Sequence, residues 1–233
     1  MRNFDEFLAM TLSQQGKRLL TEWMGIEKLC FQNKRISYFV RRRNGEGLPI
    51  EYEIIYLINS FIGVGPPEEV EWEVDGEKIT KSVRRPIIGE KHHMRIILPN
   101  NFPSADGNPQ LTFTTNIWHP NIRSAEQTYK GRVCQTEKEL GVKTTLVARI
   151  LRVGQYLQYQ LYHALEDVYP YPEDLKVAAW VREEAEPMGW ISLSEGVFTD
   201  SGNLTEKDRS RTKVLLIPKE NVLHASGRNI LRI

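Results

Sequence analysis

The chain has 233 residues, of which 40% are hydrophobic and 26% are charged. This mixture is typical of a globular protein that buries a sizeable core, and it excludes disorder throughout. The formal net charge is only +1, so the overall charge favours neither a nucleic acid nor a membrane as partner. The length favours one domain with an extension. The polar segment from Ile191 onward predicts that the domain covers residues 1–190 and the carboxy-terminal extension covers residues 191–233.

The two cysteines, Cys30 and Cys134, are too few for a disulfide framework, and no cysteine or histidine cluster has zinc spacing. We therefore expect no bound metal and no cofactor. The amino terminus carries Asp5 and Glu6 and lacks a long apolar core, which argues against a signal peptide. The sequence has no run of 18 apolar residues, which argues against a membrane span. These features together predict a cytoplasmic protein.

The first elements predicted along the chain are helices. Apolar residues at three- and four-residue steps predict an amphipathic helix from about Lys17 to Gln32, with Cys30 on its apolar face. A briefer helix is predicted over Phe4 to Met10, and the segment "TLSQQG" separates the two. Cys30 is accordingly assigned to the core.

Strands follow these helices. Period-two alternation predicts strands in "ISYFV" and "IEYEIIYLI", and further strands in "MRIILP" and "LTFTTNI". Asp75 and Gly76 lie between two alternating stretches, which is a strong hairpin signal. The middle of the chain is therefore predicted to be an antiparallel meander.

Helical spacing returns after Cys134. It predicts a long helix from about Thr144 to Glu166, capped by Thr144 or Thr145. The prolines of "VYPYPED" end this helix, and the carboxylates of Glu173 and Asp174 open another through "LKVAAWVREEAE". The predicted fold class is thus α+β, which by itself assigns no function.

One motif is more specific. The segment "TNIWHPNIRSAEQTYKGRVC" places the triplet His119, Pro120 and Asn121 ahead of Cys134. Together with "PIEYEIIYLINSFIGVG", "RIILPNNFPSADGNPQLTFTT" and "VYPYPEDLKVAAWV", in this order, it resembles the ubiquitin-conjugating enzyme family from about Lys17 to Gly189. The resemblance implies the UBC-like fold, a four-stranded antiparallel meander with an amino-terminal helix and carboxy-terminal helices.

The resemblance also implies a reaction for the domain over residues 1–190. Cys134 would accept the carboxy terminus of a ubiquitin-like protein from an activating enzyme as a thioester, and pass it to an amine of a protein substrate. A thioester stays reactive toward amines, which a serine ester does poorly. Asn121 would donate a hydrogen bond to the tetrahedral oxyanion. Asp174 aligns with an acidic residue that, in many members, orients or deprotonates the incoming lysine.

Each of these residues also has an ordinary structural explanation. Cys134 could be a buried thiol, although its polar surroundings with Lys130 and Arg132 favour an accessible one. Asn121 could hold the turn by hydrogen bonds to the backbone. Asp174 could stabilise the start of a helix. His119 is expected to pack within its own loop rather than act as a base.

Two other functions stay open at this point. One is a non-catalytic UBC-fold module that binds a ubiquitin-like protein or another partner. The other is a cysteine hydrolase that pairs Cys134 with His92 or His93, although no protease signature surrounds the cysteine. The presence of Cys134 beside Asn121 favours the carrier.

The chain also departs from the family pattern. Thirteen positions separate Asn121 from Cys134, more than the usual interval, which suggests a loop that closes on partner binding. The segment "ELGVKTT" lacks the tryptophan that often follows the catalytic cysteine. Such divergence is similar to that of prokaryotic members encoded in conjugation operons linked to antiviral defence. The basic run at Arg41–Arg43 is a candidate contact for an acidic partner surface.

Overall fold

A computed structural model describes residues 4–74, 77–104, 107–135 and 144–191. The elements in chain order are α1 (Asp5–Ala9), α2 (Gln14–Gln32), β1 (Ile36–Arg43), β2 (Pro49–Val74), β3 (Glu77–Ile97), β4 (Gln110–Phe113), α3 (Leu146–Leu157) and α4 (Leu175–Trp180). α4 continues into a π-helical turn over Val181–Ala185. The predicted α+β class is confirmed. All but the first residue of the extension predicted over 191–233 lies outside the described residues, so that boundary stays a prediction.

The amino-terminal helix α2 begins earlier than the periodicity predicted. It starts at Gln14 rather than Lys17, because the Ser13 side chain accepts a hydrogen bond from the Gly16 N–H over 2.9 Å and caps the helix. Cys30 is half-buried against the core, as predicted, and burial raises the pKa of its thiol to about 12. The apolar face of the helix buries Leu19, Leu20, Trp23, Ile26 and Leu29.

The sheet is a four-stranded antiparallel meander in the order β1-β2-β3-β4, which confirms the predicted topology. β2 and β3 are each single long strands, so segments with separate alternating patterns belong to the same strand. The pairing of β2 with β3 is irregular at the breaks in alternation. Register shifts occur between Leu57 and Ser60, Phe61 and Gly63, and Val64 and Pro67. Val74 pairs with Glu77, and the predicted turn at Asp75 and Gly76 lies outside the described residues.

A second apolar cluster covers the part of the β2–β3 ribbon that extends beyond β1 and β4. Trp180 of α4 stands edge-on to Phe61 of β2, with ring centroids 5.8 Å apart. Its indole N–H donates to the Arg84 carbonyl oxygen over 2.9 Å. These contacts fix α4 against the β2–β3 ribbon. The start of α4 lies at the candidate site described below. None of the described helices combines the length and apolar character that a membrane crossing needs.

Helix α3 is shorter than predicted. It ends at Leu157 and not near Glu166, and Tyr159 adopts a positive φ of 55°. The fully buried Tyr159 ring packs on Phe61 and His119, at centroid distances of 5.0 and 4.7 Å, and its hydroxyl donates to the Trp118 carbonyl. These distant contacts favour the turn over another helical turn, although Tyr159 itself carries no helix-breaking signal. At the other end, the Thr145 side chain caps α3, as predicted.

Candidate active site

Cys134 follows a short extended segment that is paired on both sides. Val133 donates its N–H to the Leu111 carbonyl of β4 over 3.1 Å and bridges Ile122 on its other side. The Cys134 N–H then donates to the Asn121 carbonyl oxygen over 2.8 Å. The thiol is half-buried. The backbone on its amino-terminal side is therefore held between β4 and the turn that contains Asn121.

Asn121 is fully buried, and its side chain has two different ends. The oxygen Oδ1 accepts the backbone N–H of His163 over 2.9 Å. That donor defines which end of the amide is oxygen, so Nδ2 carries the two N–H groups. Nδ2 is buried and has no acceptor among the described residues. A buried donor without a partner calls for an explanation, such as a catalytic role or a bound water.

His119 holds this turn from within. Its Nδ1 accepts the Asn121 backbone N–H over 3.1 Å, so the proton resides on Nε2, which donates to the Leu161 carbonyl over 3.1 Å. The ring stacks on Tyr156 at a centroid distance of 5.1 Å. Burial lowers the pKa of His119 to about 3, against the smaller opposing effect of the Leu161 bond. Such a ring is a poor proton acceptor near neutral pH, which agrees with the expected structural role.

Asp174 is also fully buried, at the start of α4. One carboxylate oxygen accepts the Val177 N–H over 3.1 Å and caps the helix, and the other accepts the Ser124 N–H over 3.0 Å. Its own N–H donates to the Pro120 carbonyl over 3.0 Å. Asp174 therefore ties α4 to the Asn121 turn. Its predicted contact with an incoming lysine is not tested by this geometry and stays a prediction.

The long interval between Asn121 and Cys134 forms a closed loop. The Glu173 carboxylate accepts from Arg123 over 2.9 Å and from Arg132 over 2.7 Å, and so joins both strands of the loop to the start of α4. Gly131 has a φ of 78°, and a Cβ there would lie 2.1 Å from the Phe113 carbonyl oxygen. The expectation that closing depends on a partner was wrong, because contacts within the chain close the loop.

The predicted basic surface is partly neutralised. Arg41 forms an ion pair with Glu53, and Arg42 lies 3.4 Å from Glu51, both on β2. Arg43 stacks over the Trp23 ring, with its guanidinium carbon 4.6 Å from the ring centroid. The role of this surface in partner binding stays a prediction.

The structure does not bring His92 or His93 to Cys134. His92 is buried, and its Nε2 bonds the carbonyls of Ile58 and Gly89 at 3.0 and 3.1 Å. His93 bonds Glu53 through Nδ1 at 2.6 Å on the sheet. Both histidines belong to β3, and β4 lies between β3 and the segment that leads to the cysteine. The structure therefore does not support a hydrolase dyad of Cys134 with His92 or with His93.

Two residues at this site were missed from the sequence. His163 supplies the backbone N–H that orients Asn121, and a backbone donor leaves no signal in the side-chain pattern. Arg149 lies on the buried face of α3 and binds the side chain of Gln135, next to the cysteine. Its position three residues after Leu146, on the apolar stripe of a predicted helix, was a detectable signal. No group of residues in the described ranges could hold a metal ion.

Comparisons with known proteins add little to this geometry. The chain matches no protein-family model and no curated protein. Among solved structures it is similar to the E2 domain of a ubiquitin conjugating enzyme from Toxoplasma gondii, with 22% identity. That similarity covers 73% of this chain and 88% of the other, with a TM-score of 0.43. At these values the similarity carries no argument about activity.

Proposed function

We propose that this chain is a carrier of a ubiquitin-like protein. Cys134 accepts the carboxy terminus of that protein from an activating enzyme as a thioester and passes it to an amine of a protein substrate. The observation that supports this most is the buried Asn121 amide, whose N–H groups have no acceptor among the described residues and whose backbone bonds Cys134. The resemblance of the surrounding motifs to ubiquitin-conjugating enzymes supports the same reaction.

The chemistry needs a thiol and an oxyanion donor. The Cys134 thiol loses its proton, and the thiolate attacks the thioester carbonyl of the activating enzyme. A new C–S bond forms, the C–S bond to the cysteine of the activating enzyme breaks, and the departing thiolate takes up a proton. An amine then attacks the carbonyl on Cys134, a C–N bond forms, the C–S bond breaks, and the amine proton is released while the thiol is restored. Each step passes through a tetrahedral oxyanion, and we assign Asn121 Nδ2 as its donor.

The remaining residues of the proposed site support these two. Asp174 is retained in the site as a positioning residue, because one of its oxygens accepts the Ser124 N–H beside the Asn121 turn and the other accepts the Val177 N–H of α4. Orientation of the substrate lysine by Asp174 is a second, separate proposal. The proposed partners are a ubiquitin-like protein, an activating enzyme and a protein substrate. Placement in a prokaryotic antiviral operon is also a proposal, which neighbouring genes for an activating enzyme would support.

The reaction can be tested without knowing the cognate ubiquitin-like protein. A synthetic peptide thioester ending in Gly-Gly is incubated with the full chain carrying Cys30→Ser, and adducts are located by mass spectrometry. We expect one adduct on Cys134 that hydroxylamine removes and that a lysine-containing peptide discharges as an amide. In parallel, ubiquitin, its activating enzyme and ATP test loading by a whole protein.

The control variants separate the alternatives. Cys134→Ala should abolish the adduct, and Cys134→Ser should abolish it or give an ester that resists thiol reductants. The absence of any Cys134 adduct with either donor, or a Cys134 adduct that water removes but no amine accepts, would overturn the carrier proposal. The second outcome would indicate a hydrolase. Tight binding of ubiquitin without any adduct would indicate the non-catalytic module.

A further inference from the structure

Arg149 is a buried arginine that binds the side chain of the residue after the candidate nucleophile. It lies on α3 and is only 1% exposed, which is rare for an arginine. Its Nη1 donates to the Gln135 side-chain oxygen, and its Nη2 donates to the Asn108 side-chain oxygen over 3.3 Å. Gln135 is the residue that directly follows Cys134.

These bonds hold the residue on the carboxy-terminal side of the cysteine in place. The Gln135 amide nitrogen donates to the Pro109 carbonyl over 3.0 Å, so both ends of this side chain are engaged. On the amino-terminal side, the Cys134 N–H is held by Asn121. Asn121 thus binds the backbone N–H of the cysteine, and Arg149 binds the side chain of the next residue.

The residue type indicates a role beyond packing. Burial lowers the pKa of Arg149, and Glu22 on α2 opposes this effect, which shows that the cation lies in a poorly solvated place. Glu22 itself accepts the Leu146 N–H over 2.7 Å and pairs with Arg18 at 2.6 Å. A neutral side chain could fill the same volume without desolvating a charge. A cation beside a thiol, in contrast, favours the thiolate, which is the nucleophile.

We propose that Arg149 is a positioning residue for Cys134, which fixes Gln135 and supplies the positive charge that favours the thiolate form. The importance of this role for thioester formation rests on the proposed function, but the effect on the thiol does not. Among the described residues, the other charged or titratable groups on the surrounding segments include Lys130, Arg123 and Arg132 with their shared partner Glu173, His119, His163, Asp174 and Glu22.

The test measures the Cys134 thiol directly. The rate of alkylation by iodoacetamide is followed from pH 6 to 10 in the full chain carrying Cys30→Ser. Arg149→Met should move the rate profile to higher pH and lower the rate at pH 7 by about three- to tenfold, as expected when a nearby opposite charge is lost. Arg149→Lys should recover most of this loss, because it keeps the charge. Arg152→Met, on the same helix, is the matched control and should leave the profile unchanged.

A second variant keeps the test decisive if Arg149→Met unfolds the chain. Gln135→Glu leaves Arg149 in place but gives it a carboxylate partner on the residue next to the thiol, and should also move the profile to higher pH. Unchanged profiles in the folded variants would overturn the proposal. Alkylation needs no activating enzyme. A shifted alkylation profile in a chain that forms no thioester would therefore overturn only the carrier function. Thioester formation with unshifted alkylation profiles would overturn only the role of Arg149.

Discussion

The Cys134 N–H donates to the backbone carbonyl of Asn121 over 2.8 Å, although thirteen positions separate the two residues in the sequence. The adjacent residues Ile122 and Val133 form an antiparallel bridge, so the two segments run side by side. A shift of either segment therefore moves the other. The candidate nucleophile and the candidate oxyanion donor are positioned by one backbone arrangement.

Asn121 offers a test of its two ends. Asn121→Ala removes both the acceptor for the His163 N–H and the Nδ2 donor, so stability should fall by about 1–3 kcal/mol and discharge to an amine should slow. Asn121→Asp keeps an oxygen for His163 and removes the donor. We expect Asn121→Asp to slow discharge by about 10²- to 10³-fold, the usual cost of one oxyanion donor.

Single-turnover discharge and urea denaturation, measured on the same samples, distinguish the two roles. If Asn121→Asp discharges the Cys134 thioester at the wild-type rate, the donor role is wrong and the residue serves only the turn.

Asp174 is expected to act through position rather than by touching the amine. Asp174→Ala removes the cap on the Val177 N–H and the acceptor for the Ser124 N–H, so stability should fall by about 2–4 kcal/mol. Loading of Cys134 and discharge should weaken to a similar degree, because both use the same turn. Asp174→Asn, which keeps an oxygen for one of the two donors, should show a smaller loss of both. A variant that loads normally and fails only in discharge would instead support direct contact with the lysine.

Burial of His119 predicts a dependence of stability on pH. The ordinary pKa of 6.5 is lowered to about 3 in the folded chain, so between these values the unfolded chain binds a proton that the folded chain does not. The free energy of unfolding should therefore fall as the pH falls through this window, by up to about 1.4 kcal/mol per pH unit, and should be unaffected by this group above pH 6.5.

Urea denaturation at pH 4.5, 5.5, 6.5 and 7.5 measures this slope. His119→Gln should reduce the slope without abolishing it, because burial also lowers the pKa of His92. An equal slope in the two proteins would show that His119 does not contribute.

Gly131 is required by the loop that leads to Cys134. Gly131→Ala forces a side chain into a positive φ and places its Cβ against the Phe113 carbonyl, so stability should fall by more than the roughly 1–2 kcal/mol of the backbone preference alone. Gly45→Ala is the matched control, since a Cβ there meets nothing within 4 Å. Thermal unfolding and the rate of Cys134 alkylation report on the two effects. Wild-type behaviour of Gly131→Ala would contradict the described loop geometry.

Two of the following three differences between prediction and structure come from contacts between segments that are distant in the sequence. The extent of α3 could not be predicted, because its end depends on contacts of Tyr159 with Phe61 and His119, which are distant in sequence. The start of α2, in contrast, depends on a local cap at Ser13, which is visible in the sequence. Closing of the loop depended on Glu173, whose arginine partners lie 41 and 50 residues away.

The amino-acid sequence by itself determined the helices, the antiparallel order of the strands and the choice of Cys134 and Asn121 as candidates. These features depend on periodicity and on residue types at short spacing, which are local properties. Only the tertiary structure decided that the Asp174 carboxylate is used by backbone donors, that the Asn121 amide is oriented by His163, and that Arg149 binds the residue that follows the cysteine. Burial and hydrogen-bond partners are set by segments far apart in the chain, so no local pattern encodes them.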